Sequence, residues 1–156
     1  MKDQGLCDRG IVPNYLGSVR KFDPSLCNPH LKMFLDDEYL PSAIFLEYIP
    51  GLEMISVHNY TQQRMNNFVE GIREIHKALV RHRDPKPRNM MVVTDTPERV
   101  VWLDFDRAET FDTSQITVER EDLLKEEEEI IRGFTECLAA DHDKGKLDQA
   151  YIFYCT

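Results

Sequence analysis

Apolar residues recur through the middle of the chain at steps of three and four: Met65, Phe68, Val69, Ile72, Ile75, His76 and Leu79. That spacing lays one continuous stripe along a helix. Asn59 or Thr61 is placed to cap its start. Its end falls just before Arg81-His82-Arg83-Asp84-Pro85, because a residue preceding proline is pushed out of the helical region. A second stripe, Leu123, Leu124, Ile130, Ile131, Phe134 and Leu138, predicts a long helix over about residues 118–140. The run Glu126, Glu127, Glu128 and Glu129 is expected to face water there. Like charges at helical spacing cost only about 0.2–0.5 kcal/mol per pair, which burial of the apolar side outweighs.

Elsewhere the pattern changes period. Ala43-Ile44-Phe45-Leu46-Glu47-Tyr48 reads as a strand, ended by Pro50-Gly51. Residues 90–94 and 99–103 read as two more, and Asp95-Thr96-Pro97-Glu98 has the length and composition of a hairpin turn. Residues 11–19 read as a proline-containing loop running into a short strand. Residues 23–30 form turns, since Pro24 and Pro29 each fix φ and remove a backbone donor. Helices and hairpins in this order predict an α+β fold.

At 156 residues the chain suits one domain or one large lobe with a real core. Its composition, 42% hydrophobic and 30% charged, is that of an ordinary globular protein. The longest apolar runs are far too short to span a bilayer, and no apolar stretch of secretory-signal type follows Met1. Four widely spaced cysteines (Cys7, Cys27, Cys137, Cys155) without CxxC pairing fit a reducing, cytoplasmic setting. The net charge of −9 disfavours nucleic acid and anionic membrane as partners. Charge is unevenly spread, however. Residues 119–129 hold much of the acidic excess, whereas Arg81, Arg83, Lys86 and Arg88 crowd into one short segment. A local basic site within an acidic protein suggests a small anionic ligand.

That basic segment is His82-Arg83-Asp84-Pro85-Lys86-Pro87-Arg88-Asn89, set between a long amphipathic helix and a hairpin whose far strand ends in Trp102-Leu103-Asp104-Phe105-Asp106. Motif and setting together resemble the protein-kinase-like superfamily. Its catalytic loop reads H-R-D-x-x-x-x-N, and its metal-binding aspartate closes the following hairpin. Ile75-His76-Lys77 precedes the loop as in many kinases, and Leu46-Glu47-Tyr48-Ile49-Pro50-Gly51 resembles the hinge between lobes. The stretch Arg99-Val100-Val101-Trp102-Leu103-Asp104-Phe105-Asp106-Arg107 is similar to one in kinase-like proteins of fungi.

The resemblance implies a mostly helical C-terminal lobe with a catalytic-loop β-hairpin (residues 51–156), preceded by a partial remnant of the N-lobe sheet and the hinge (residues 1–50). It implies ATP and Mg²⁺ as cofactors. Asp84 would orient the acceptor hydroxyl, Lys86 would place a cation near the transferred phosphate, and Asn89 and Asp104 would ligate the metal. Backbone groups of Glu47 and Ile49 would bind adenine, with Leu46 lining that pocket. His82 would orient the loop. His76, like His30, His58 and His142, lacks zinc-type spacing and is expected in a loop or packing role.

The sequence also departs from the family. It has no Gly-rich phosphate loop and no strand lysine paired with a helix glutamate, so the chain is expected to start about a third of the way into that fold. Asp106 stands where the family has glycine, and no A-P-E segment follows. The lack of a peptide-docking platform favours a small-molecule acceptor, as in aminoglycoside- or choline-kinase-like enzymes, over a protein. Two readings therefore stand side by side. One is an ATP- and Mg²⁺-dependent phosphotransferase; the other is a truncated, inactive pseudokinase-type fold serving as a binding module. In either case the exposed cleft surface would favour self-association.

Overall fold

The computed structural model describes residues 4–96, 98–112 and 117–155. The chain divides into two compact units, Asn14–Tyr48 and the remainder, Met1–Pro13 with Ile49–Thr156. The sequence groups residues 1–50 together, but Leu6, Cys7 and Val12 are buried in the core of the larger unit, which is why their segment belongs with it.

In the smaller unit, strands β1 (Tyr15–Val19) and β2 (Ala43–Leu46) pair antiparallel, with Tyr15 opposite Leu46 and Val19 opposite Ala43. The extended run expected through Tyr48 stops at Leu46. Two 3₁₀ turns, Pro24–Cys27 and Lys32–Phe34, lie between the strands. The Asp23 carboxylate accepts the Ser25 N–H at 2.8 Å and starts the first. Only Pro24 is buried here, and Leu16, Ile44, Phe45 and Tyr48 are each more than half exposed.

The larger unit is built around helix α1 (Gln62–Lys77). Of the two candidate caps it is Thr61 whose hydroxyl accepts the Arg64 N–H, at 3.1 Å. The buried face of α1, including Met65, Phe68, Ile72, Ile75 and His76, is the stripe read from the sequence. It packs on a three-stranded antiparallel sheet in the order β3 (Leu52–Met54), β5 (Met90–Val93), β6 (Val100–Trp102). Met90 pairs with Trp102 and Val92 with Val100. Pro97, in the turn expected between these strands, lies outside the described residues. Both faces of the hairpin are covered. Met90, Val92, Val100 and Trp102 join the main core, while Val93 and Val101 pack with Ile49 in a smaller cluster. A strand covered on both faces reads as an unbroken apolar run and not as an alternation.

Two short strands, β4 (Val80–Arg81) and β7 (Glu109–Thr110), pair with each other. They draw together the two ends of the segment that carries the loop, the hairpin and Asp104. Helix α2 (Val118–Lys144) then lies against α1 and ends at Gly145, whose φ of 66° is the left-handed cap that glycine adopts without strain. Ile131, Phe134 and Leu138 are buried as expected, but Ile130 is 48% exposed. The acidic run does not face water throughout. Glu127 is 2% exposed, one turn before Ile131 on the same face. Asp141 continues that face and is completely buried. Its carboxylate accepts the N–H groups of Asp148, Gln149 and Ala150 at 2.7, 3.0 and 2.8 Å, fixing the turn into α3 (Tyr151–Cys155). Burial alone raises the Asp141 carboxyl pKa, but those backbone donors outweigh it and hold the group below its ordinary range. Among the described residues no helix is long and apolar enough to cross a membrane.

Candidate active site

Residues 82–89 form a tight loop between β4 and β5. Much of its shape is internal. The Lys86 N–H donates to the Asp84 carbonyl and the Asn89 N–H to the Lys86 carbonyl, both at 2.8 Å. Pro87 opens the 3₁₀ turn Pro87–Asn89, a position where its missing N–H costs nothing. Arg83 holds φ at 67°, a left-handed conformation that a non-glycine residue keeps only when its surroundings impose it.

Glu127 supplies that constraint from α2. Its Oε2 accepts the His82 N–H at 2.9 Å and its Oε1 the Arg83 N–H at 2.6 Å. Oε2 also lies 2.8 Å from His76 Nε2, and His76 is itself buried on α1. One carboxylate thus joins two helices to the loop backbone. Burial alone raises its pKa, but the hydrogen bonds from His76 and from the two N–H groups outweigh burial and hold Glu127 below the ordinary glutamate range. The sequence contained a signal for it. Glu127, Ile131, Phe134, Leu138 and Asp141 recur at steps of four, three, four and three, so periodicity places both acids on the buried stripe.

A second tie crosses to the end of β6. His82, completely buried, has Nε2 2.9 Å from the Leu103 carbonyl, and its ring lies between Trp102 and Phe105 at centroid distances of 5.3 and 4.5 Å. Leu103 in turn donates its N–H to the Asn89 carbonyl at 2.9 Å. These bonds bring Asp104, the residue after Leu103, next to the loop in the chain's own connectivity. Asp104 is exposed and also left-handed, with φ of 60°.

Within the loop Asp84 is 4% exposed. Asn89 Nδ2 donates to the Asp84 carbonyl at 2.9 Å and to its Oδ2 at 2.8 Å. Arg88 Nη2 lies 2.9 Å from both Asp84 carboxylate oxygens, and Lys86 Nζ lies 3.7 Å from Oδ1. Burial raises the Asp84 pKa, but Arg88, Asn89 and Lys86 more than offset that and hold it below the ordinary aspartate range. Both Asn89 amide hydrogens are committed to Asp84, so the amide oxygen is the atom of that side chain that could serve a cation. One amide oxygen and one exposed carboxylate are the hard donors a phosphate-bound Mg²⁺ takes. Among the described residues no three His, Cys, Asp or Glu side chains gather into a metal cluster, but a site of one Asn and one Asp completed by phosphate oxygens contains no such group.

Asp84, Lys86 and Asn89 are therefore together in one loop, and Asp104 follows a residue bonded to that loop. The residues expected to hold adenine fall differently. Leu46 ends β2 and is 43% exposed. Glu47, in the same smaller unit, donates its N–H to the Asn14 carbonyl at 2.8 Å, and its Oε2 accepts from the Asn14 N–H and Nδ2. Ile49, 5% exposed, anchors the smaller cluster of the larger unit. A groove of about 550 Å³ between α1 and α2, lined by Gln62, Asn66, Arg73, Arg132 and Thr135 among others, contains none of these residues. No protein-family model matches the chain, and no curated protein matches it either.

Proposed function

We propose that the chain is a kinase-like phosphotransferase that moves the γ-phosphate of ATP to a hydroxyl, with a small molecule as acceptor. The observation that carries this reading is the loop itself. A buried aspartate, a lysine two residues on and an asparagine three further lie in one tight turn, hydrogen-bonded to the strand end that precedes Asp104. Asp84 would take the acceptor's proton as the acceptor oxygen bonds to the γ-phosphorus and the bond to the bridging oxygen breaks, releasing ADP. Lys86 would set a positive charge beside the phosphoryl in transit, where phosphoryl transfer needs neutralisation more than covalent help. Asn89 and Asp104 would hold Mg²⁺, which supplies charge neutralisation when bound. Glu127 and His82 would keep these groups in register by fixing the loop backbone. Leu46 and the backbones of Glu47 and Ile49 remain the residues proposed to hold adenine.

One observation favours the alternative, a non-catalytic binding module. Both oxygens of Asp84 are engaged by Arg88, and although burial raises its pKa, Arg88, Asn89 and Lys86 hold it below the ordinary aspartate range, which makes it a weaker base.

Thermal melting of the full chain with Mg²⁺ and ATP tests the reading. Nucleotide at a hundredfold excess over Kd stabilises by about 2.7 kcal/mol, which moves Tm by roughly 5–10 °C for a protein of this size. Asp104→Asn should abolish the shift. An unchanged Tm at millimolar Mg·ATP in the wild-type chain refutes the proposal. Phosphate transfer to aminoalcohols, aminoglycosides and peptides then sorts the acceptor, and transfer surviving Asp84→Ala contradicts the role of Asp84.

A further inference from the structure

Helix α3 lies against the turn Pro87–Asn89 that closes the loop. Five residues are far too few to hold a helix by themselves, so its shape and place come from its surroundings. Asp141 fixes the turn into it, and Phe153 and Tyr154 pack on Phe134 at ring-centroid distances of 5.2 and 5.8 Å. One bond reaches further than packing requires. The hydroxyl of Tyr154, a half-buried residue, donates to the Ile55 carbonyl at 2.8 Å.

Ile55 is completely buried directly after β3, and its own N–H donates to the Met90 carbonyl at 2.9 Å. Met90, also completely buried, follows Asn89 in the chain. Tyr154 therefore reaches the end of the loop by two hydrogen bonds through a single residue. Asn89 is held on the loop side by Asp84 and on the hairpin side by Leu103. The bond from Ile55 adds a restraint at the next residue, and that one leads out to α3.

We infer that Tyr154 is a positioning residue: through Ile55 and Met90 it sets where Asn89 presents its amide oxygen, so the seating of α3 determines how well the loop holds Mg·ATP. The link to Mg·ATP rests on the phosphotransferase reading; the positioning of Asn89 does not. Helix α3 then belongs to the site, although none of its side chains touches a reacting atom.

The test uses the full chain and Tyr154→Phe, which removes the hydroxyl and keeps the ring. Nuclear magnetic resonance without nucleotide follows the Asn89 Nδ2 signals and hydrogen exchange at the Ile55 N–H. In Tyr154→Phe the Asn89 signals should shift, and exchange at Ile55 should quicken by about two- to tenfold, the worth of one neutral hydrogen bond. Tyr151→Phe, a change at an exposed position of the same helix, should alter neither. Asp141→Asn, which weakens the hold on the other end of α3, should move the Asn89 signals in the same direction as Tyr154→Phe. The Kd for Mg·ATP, measured where each variant is fully folded, should rise in Tyr154→Phe by about the same factor. If Tyr154→Phe lowers Tm but leaves the Asn89 signals and the Kd of the folded protein unchanged, Tyr154 only packs and the inference is overturned. It is equally overturned if Tyr151→Phe shifts Asn89 as much, or if Asp141→Asn leaves Asn89 in place. The Asn89 signals require no nucleotide. Positioning can therefore fail while Mg·ATP binds, and a wild-type chain that binds no Mg·ATP refutes the phosphotransferase reading while the tie from Tyr154 to Asn89 is still read.

Discussion

Removing the Glu127 carboxylate should unfasten the loop and cost far more than its place in an acidic run suggests. Glu127→Ala leaves three donors behind: the N–H groups of His82 and Arg83, and His76 Nε2. All three belong to a site where Glu127 is 2% and His76 7% exposed, so water can replace the lost oxygens only after the packing opens. Deleting the charged member of a buried hydrogen-bonded set typically costs about 3–5 kcal/mol. Against a total stability of about 5–15 kcal/mol for a domain, that is a large fraction. It corresponds to a fall in Tm of roughly 6–20 °C at this chain length. The neighbouring Glu126 and Glu129 are exposed, and their alanine variants should stay within about 0.5 kcal/mol of wild type. Urea melts of the three variants side by side supply the assay, with Glu127→Gln as the near-isosteric form that removes charge alone. The pH dependence follows from the depressed folded pKa. A carboxylate titrating lower when folded contributes stability that is fully present above its unfolded value and is lost as pH falls through the folded one. The gap between wild type and Glu127→Gln should therefore be widest near neutrality and close on acidification. If Glu127→Ala costs no more than Glu126→Ala, the carboxylate does not hold the loop.

Two other positions test the scaffold. Asp141→Ala should speed hydrogen exchange at the amides of Asp148, Gln149 and Ala150 by about tenfold or more, since each loses a charged acceptor; unchanged exchange there would show that α3 is held by packing alone. Gly71→Ala runs against helix propensity, which favours alanine by about 1 kcal/mol. The added Cβ would sit 3.0 Å from Trp102 Nε1 and 3.1 Å from Cδ1, and overpacking of about 1–3 kcal/mol should make the variant less stable than wild type in urea.

The sequence showed α1, β2, the β5–β6 hairpin and most of α2, because each is long or carries a strong period with a recognisable stop. It missed β3, β4, β7 and α3. Those are two to five residues long, too short to display a period, and β4 and β7 exist only by pairing with each other. The loop was legible because its side chains act locally: Asp84 to Asn89 is a five-residue interval. What holds the loop was not. Glu127 lies 45 residues beyond His82 in the chain, and among four consecutive glutamates its type gave no cue. Composition spoke for solvent where the helical phase spoke for burial, and the phase was right. The coupling of Arg88 to Asp84 was equally hidden. The sequence shows them four apart but not in helical geometry, and only the turned loop brings guanidinium to carboxylate.

Trp102 is the chain's one tryptophan, and its position gives it a use beyond packing. It is completely buried, its indole N–H bonds the Phe68 carbonyl at 3.2 Å, and its ring stands edge-on to Phe68 and 5.3 Å from His82. Helix, hairpin and loop therefore all border a single fluorophore. An indole with no exposure to solvent should shift its emission to longer wavelength when the loop lifts away and water reaches the ring. The molecule thus carries its own optical gauge of whether the loop is seated, readable in unlabelled protein on the timescale of stopped-flow mixing.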